Sequence, residues 1–487
     1  MSIPCILTVV LDGKTAVQQA AHGVLLWDAL RQGGYALSAP CGGHGKCGKC
    51  RVRAEGALSP QPDADGFCLA CQTRLAGDAM VWLDRPSVLS NIEGAGKMPE
   101  FPLNPPPGEY GLALDIGTTT LAAQLLSLKD GRILAAVTAE NPQRQIAHDV
   151  IGRIQAAMDG RGLALQAQIR GEIDRMRRAL CAQAELPETA IDFSVYTGNT
   201  TMLYLLTGRN PKPLSAAPFE ADCLFDYESD AIYFPPCVGS YVGADISCAL
   251  LASDMVNRHR TAMLIDIGTN GEIVLLHEGR LFCCATAAGP AFEGMGIGCG
   301  VGSIPGAVSA VQALDGKLVW ETLENAPPAG ICGSGLIDAT AALLELGWLD
   351  ETGYLEQESV EIAPGAALTR KDIRAIQLAK GAIRAGMETL MQRAGIAASD
   401  LEALYIAGGF GRHIRVESAV SIGLIPNLPA ERICAIGNAA LAGASMLLLS
   451  LDLRGRVRGL VDHCICVNLG GDPAFQTHYM DALCFDI

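Results

Sequence analysis

Cys41, Cys47 and Cys50 crowd a glycine-rich stretch, Pro40-Cys41-Gly42-Gly43-His44-Gly45-Lys46-Cys47-Gly48-Lys49-Cys50, and another thiol follows in Leu69-Ala70-Cys71-Gln72. Glycine lets the backbone fold tightly and present its N–H groups, so four thiolates here can surround one compact inorganic centre. A second chemistry stands further on. The apolar run 111–114 leads into Asp115, then a turn of Gly117, Thr118, Thr119 and Thr120, then a second apolar run ending at Leu126. Such a hairpin tip presents a carboxylate, hydroxyls and backbone amides, which is what magnesium and the oxygens of a polyphosphate require. Alone it is any hairpin with a polar turn, but it recurs. About 150 residues later Asp266, Gly268, Thr269, Asn270, Gly271 and Glu272 stand between the apolar runs 262–265 and 273–276, an internal repeat at the scale of a domain.

Two metal readings share the cysteines. Cys47-x2-Cys50-x17-Cys68-x2-Cys71 fits a four-cysteine zinc site. It leaves Cys41 and the glycines around His44 without a purpose. Cys41-x5-Cys47-x2-Cys50-x20-Cys71 uses them and leaves only Cys68 spare. This second pattern resembles the [2Fe–2S] ferredoxins, with one residue more in the first gap than the plant-type spacing, as in the adrenodoxin-like branch. The resemblance implies an iron–sulfur cluster on Cys41, Cys47, Cys50 and Cys71, with Cys68 a bystander.

The 487 residues that must position these groups are 49% hydrophobic and 18% charged, enough for large cores and about three domains. A formal net charge of −16 and the lack of any lysine or arginine run exclude a nucleic-acid footprint. The longest apolar stretch, Ala439 to Leu451, is shorter than the roughly 20 residues of a membrane helix and reads as a buried core helix. Asp12, Lys14 and Gln18 interrupt the first apolar run, so no secretory signal is expected. With 18 cysteines scattered mostly through apolar runs, reduced thiols in a cytoplasm are expected over a disulfide framework. Cys283, Cys284, Cys299, Cys332 and Cys434 read as small core hydrophobes. Cys464 and Cys466 beside His463 make a weak metal fragment, because a fourth ligand is missing.

In chain order, Cys5 to Val10 reads as a strand, Asp12-Gly13 as a turn and Val24 to Leu30 as a helix; the cysteine loop follows, and Val81-Trp82-Leu83 closes a small α+β unit spanning 1–85. Residues 86–108 are rich in proline, ending Pro105-Pro106-Pro107-Gly108, and read as a semi-rigid tether that lets the small unit swing. Thr369 and Asp372 form a capping-box pattern ahead of a helix with Ile373, Ile376, Ile383, Met387 and Leu390 on one core face. Asn199 to Met202, after the strand-like Phe193 to Tyr196, is expected to form a turn between lobes near the cleft.

Duplicated Asp-Ile-Gly-Thr hairpins resemble those of the actin-like ATPase superfamily, which includes sugar kinases and heat-shock ATPases. The resemblance implies an α/β, ribonuclease H-like pair of lobes, at 109–245 and 246–487, with ATP between them. A further expected element, an apolar strand ending in a glycine turn at the adenosine, is present at Leu404 to Gly411 and includes Gly408, Gly409 and Gly411. Gly333 and Gly335 open a helical pattern through Leu349, which suits either an anion at a helix N-terminus or tight helix packing.

A [2Fe–2S] β-grasp domain fused to an actin-like ATPase resembles the reductive activators of corrinoid proteins, over essentially the whole chain. Asn141-Pro142-Gln143, Gly198 to Met202, Tyr241 to Asp245, Ala287 to Gly294 and Gln377 to Ile383 are similar to that family in particular. The resemblance implies ATP-dependent, one-electron reduction of a methyl-carrying cobalamin protein from Co(II) to Co(I). Asp115 and Asp266 would hold Mg²⁺ through water; Gly117, Thr118, Thr119, Thr120, Gly268, Thr269 and Asn270 would surround the phosphates. Glu272 and Glu293 are candidates for orienting the attacking water. Expected partners are the corrinoid protein and an electron donor that reduces the cluster, with a homodimer left open. A second, C-terminal iron–sulfur module of some methanogen activators is not visible, since Cys464, Cys466 and Cys484 lack repeated C-x2-C spacing. Two other functions remain open: an activator of the 2-hydroxyacyl-CoA dehydratase kind, which the Cys41-x5-Cys47 loop argues against, and an ATP-responsive redox sensor.

Overall fold

The computed structural model describes residues 5–11, 14–32, 35, 50–83, 96, 98–216, 219–408 and 414–485. The chain divides into two compact units, Met1–Ser90 and Asn91–Ile487.

In the first unit, alternation along Cys5–Leu11 turns Cys5, Leu7 and Val9 inward, and the strand pairs antiparallel with Lys14–Ala20 and parallel with Arg74–Leu83. Arg51–Ser59 and Phe67–Leu69 complete a five-stranded mixed sheet. The helix Leu26–Gln32 lays Leu26, Ala29 and Leu30 into the same core as Val52, Leu75 and Val81. A helix gripped by a mixed sheet is the β-grasp arrangement expected from the sequence.

The second unit repeats one plan twice. Tyr110–Ile116, Thr120–Ser127 and Ile133–Glu140 form an antiparallel meander, and Ile191–Gly198 pairs parallel with the first of them. Thr261–Ile267, Gly271–His277 and Arg280–Thr286 form the second meander, with Ala403–Ala407 parallel to its first strand. Each meander sits in a six-stranded sheet. The inner strands are apolar on both faces because both faces are covered: Met263 and Ile265 pack into one core, Ala262 and Leu264 into another. Two helices, Ala244–Ser253 and Ala439–Leu449, cross closely at Gly443, where an added Cβ would stand 2.0 Å from the Cys248 carbonyl oxygen. All eleven residues of the later helix are buried. It covers the first sheet, so a helix from late in the chain completes a core begun near residue 110.

The helix Arg370–Ala394 begins at the capping box read from sequence: Thr369 accepts from the Asp372 amide and Asp372 accepts from the Thr369 amide, and its five expected core residues are buried. Asn199 departs from expectation. Its side chain accepts from the Thr201 amide and starts the helix Thr200–Thr207, because the run Met202 to Leu206 needs burial and a helix supplies it. The end of the proline-rich segment is anchored, which narrows the reach of a tether over 86–108. The Asn104 amide donates to the Leu449 carbonyl, the Leu451 amide donates to Asn104, and Met98 and Phe101 pack on the second unit's core. Cys464–Cys466 forms a short strand paired with Arg280–Thr286, and among the described residues no three His, Cys, Asp or Glu side chains are placed to hold a metal ion. No helix of the described residues is long and apolar enough to cross a membrane.

Candidate functional site

In the first unit, the thiol of Cys50 lies 3.1 Å from that of Cys71, both residues buried, and the Ala70 amide donates to the Cys50 carbonyl and fixes their approach. Cys68 packs into the core opposite Val52, its thiol pushed up by burial. Cys41 and Cys47 lie outside the described residues.

In the second unit, the two meanders deliver their tips to one point. Thr119 Oγ1 and Thr269 Oγ1 are 2.9 Å apart, and Glu293 Oε2 accepts from both, at 2.6 and 3.0 Å. The first turn is tight because Gly117 stands where an added Cβ would meet the Thr120 carbonyl oxygen at 2.4 Å. Asn141 Nδ2 donates to the Gly117 carbonyl at 2.8 Å and Arg153 Nη2 to the Thr118 carbonyl at 2.6 Å. Arg153 is fully buried, and loss of water draws its guanidinium down to about 9. Thr120 is exposed at the start of its strand. In the second turn the Gly268 amide donates to the Asn270 carbonyl, 3.0 Å, and the Asn270 side chain bonds Glu272.

Beneath the tips lies a nest of carboxylates. Asp115 accepts from Asn438 Nδ2 at 2.9 Å, and Glu272 stands opposite Asp266 in the ladder. Burial raises Asp115 to about 6; burial and then the charges of Asp115 and Glu293 raise Asp266 to about 7. Asp245, at the start of its helix, is raised to about 8 by burial, then by Asp115 and Asp266. Glu272 goes well above the ordinary carboxylate range, from burial and then Asp245 and Asp266; burial also raises Glu293. Gly408 touches this nest: at φ +106° its added Cβ would lie 3.1 Å from Asp266 Oδ1 and 2.6 Å from the Ile267 carbonyl oxygen. Gly409 and Gly411 lie outside the described residues. Gly335 allows close packing, since an added Cβ there would meet the Val308 carbonyl oxygen at 2.1 Å, and Gly333 is buried at the start of the same helix, Gly333–Glu345.

A group of mutually repelling carboxylates below two hydroxyl-bearing turns suits a polyanion arriving with its own cation. Without one, the folded chain keeps protons on Asp115, Asp266 and Asp245 at pH values where the unfolded chain has released them. Stability therefore falls as pH rises from about 4, the unfolded value, through 6 to 8, the folded values. The melting temperature of the unliganded protein is expected to drop by about 5 °C or more between pH 5.5 and pH 8. Asp245→Asn should recover more stability at pH 8 than at pH 5.5, and almost none near pH 4; a flat profile in calorimetry would remove this reading of the nest.

Sequence reading reached both hairpins but not their supports. Asp245 and Asn141 lie in stretches that resemble the family but carry no role there, and no motif marks Arg153. Asn438 carried a usable signal, a cap residue directly before the apolar run from Ala439, since its Oδ1 also accepts from the Leu441 amide.

Three families match successive parts of the chain: a 2Fe-2S iron–sulfur cluster binding domain over residues 9–76, the RACo middle region over 110–258, and the C-terminal ASKHA domain of RACo over 260–486. The first match favours iron–sulfur over zinc for the first unit. Corrinoid activation enzyme RamQ of Eubacterium limosum is 32% identical over 413 residues, 76% of this chain and 69% of that protein. A Methanosarcina barkeri reductase of the Co(II) methylated amine-specific corrinoid protein is 30% identical over 387 residues, 70% of each. A solved structure of a reductive activator for corrinoid, iron–sulfur protein superposes with a TM-score of 0.72 at 25% identity, covering 98% of both chains.

Proposed function

We propose, from the premise that this chain belongs to the family of reductive activators of corrinoid proteins, that it returns a corrinoid methyl carrier from Co(II) to Co(I) at the expense of ATP. The observation that carries the proposal is that one chain joins the buried Cys50–Cys71 thiol pair of a ferredoxin unit to two hairpins meeting at Thr119, Thr269 and Glu293.

Cys41, Cys47, Cys50 and Cys71 are the proposed ligands of a [2Fe–2S] cluster, which supplies single electrons when bound. The convergent, buried Cys50 and Cys71 fit that donor set. Each 59 mV of deficit in a one-electron step costs about tenfold in equilibrium constant, so a ferredoxin unit alone leaves most of a low-potential acceptor oxidised. The second unit offsets this. Thr118, Thr119, Thr120, Thr269 and Asn270 bind phosphate oxygens, with Gly117 and Gly268 letting the turns approach. Asp115, Asp245 and Asp266 would face a Mg²⁺ ion arriving with the phosphates, and its charge would relieve their mutual repulsion. Gly408, Gly409 and Gly411 admit the adenosine, and Glu293, on which both hairpin hydroxyls converge, orients the attacking water more directly than Glu272. Phosphates arriving at the turns must replace the Thr119–Thr269–Glu293 bonds. ATP and its products therefore differ in how they hold the tips, and that difference is what can bias the activator–corrinoid complex.

The test mixes cluster-loaded protein with a Co(II) corrinoid protein from the same source, an electron donor that reduces the cluster, and Mg-ATP. The Co(I) absorption band should grow only with ATP. Growth that is equal without ATP, or absent with every corrinoid partner of that source, overturns the proposal.

A further inference from the structure

The edge of the second six-stranded sheet carries a thiol group that none of this chemistry uses. Cys464–Cys466 is the edge strand, parallel to Arg280–Thr286, with Cys466 in register opposite Cys283. Neighbouring strands lie about 4.8 Å apart, inside the roughly 4.4–6.8 Å that a disulfide spans between Cα atoms. The two sulfurs are 3.3 Å apart. Cys283 is buried, whereas Cys466 is exposed. Cys466 Sγ also approaches the Val238 carbonyl at 3.6 Å, and Gly239 leaves room for it, since a Cβ there would stand 2.9 Å from that sulfur.

We propose that Cys466 and Cys283 are a peroxide-responsive pair, with Cys466 the attacking thiolate and Cys283 the resolving thiol. Either sulfur can donate to the other, and with Cys283 as donor the Cys466 sulfur is held below the usual thiol range. Cys466 stands on the exposed edge strand whereas Cys283 is buried, so Cys466 is the partner that peroxide meets, and its thiolate is the form that reacts. The Cys466 thiolate attacks one oxygen of hydrogen peroxide, the O–O bond breaks, and Cys466 becomes a sulfenic acid as hydroxide leaves. The Cys283 thiol then attacks the sulfenic sulfur, its proton leaves with the hydroxyl as water, and an S–S bond forms. Two thiol sulfurs are oxidised and one peroxide is reduced. A thiol donor reverses the bond by exchange. Val238, whose carbonyl the Cys466 sulfur faces, lies in the loop that leads to the helix bearing Asp245. Cys464 faces the same side and also bonds Cys283, so it is the competitor.

Full-length, cluster-loaded, thiol-reduced protein is treated with a few equivalents of hydrogen peroxide, alkylated with N-ethylmaleimide and digested without reductant. Mass spectrometry should show a peptide pair joined through Cys283 and Cys466, two hydrogens lighter than the sum of its thiols and lost on treatment with dithiothreitol. In Cys283→Ser, dimedone should label Cys466, and Cys464→Ser should still form the bridge. Full maleimide labelling of Cys283 and Cys466 in peroxide-treated wild type overturns the proposal, and so does a bridge from Cys283 to Cys464 only. The wild-type map decides the matter even if a variant does not fold.

Discussion

Asp266→Asn is expected to cut ATP-dependent formation of Co(I) by about a hundredfold or more, while the visible absorption of the iron–sulfur cluster stays as in wild type. The magnitude takes as its guide the loss of about 10²–10³ in rate when one preorganised group that stabilises transition-state charge is removed. Asparagine keeps the shape and removes the negative charge that burial and the neighbouring Asp115 and Glu293 already disfavour. The folded protein should therefore be no less stable than wild type, so a folding defect cannot imitate the result. ATP hydrolysis and Co(I) formation should fall together. Wild-type activation in this variant would mean that the second hairpin does not serve the nucleotide.

The complementary variant is Cys50→Ala. It should abolish the cluster's visible absorption and all Co(I) formation, yet leave ATP hydrolysis within about twofold of wild type, because the thiol lies in the other unit. Cys68→Ala supplies the control. Cys68 packs opposite Val52 rather than joining the Cys50–Cys71 pair, so its loss should leave the absorption spectrum intact. Iron content and spectrum together separate the readings. A spectrum lost with Cys68 but kept without Cys41 would restore the zinc-type ligand set.

The hairpins were legible because both halves of their signal are local: apolar runs set the strands, and Asp, Gly and Thr mark a polar tip. The capping box at Thr369 was legible for the same reason. What the residue pattern does not carry is the pairing of distant groups. Asn438 reaches Asp115 across 323 positions, and Glu293 reaches Thr119 across 174. Asn438 looks like an ordinary N-cap in its own stretch, and Glu293, a candidate through the family resemblance, carries nothing local that ties it to Thr119. Asn199 shows the opposite failure: polar residues after a strand suggest a turn, but the apolar run behind them decides for a helix. The anchored end of the proline-rich segment was hidden for a similar reason, because its hold depends on Leu449 and Leu451, far down the chain.

The helix Ala439–Leu449 has a consequence for how the protein is made. Its apolar surface covers the first sheet, Ser445 bonds Gln124, and the Leu448 side chain fills the space beside Gly111. A ribosome therefore releases that sheet roughly 200 residues before its cover, a wait of roughly 10–40 s at about 5–20 residues per second. Through that interval the strands from Tyr110 to Phe234 lack part of their core. A nascent chain halted anywhere short of Leu449 holds an open sheet, a natural client for chaperones, and a gene fragment ending near residue 258 should yield insoluble protein for the same reason.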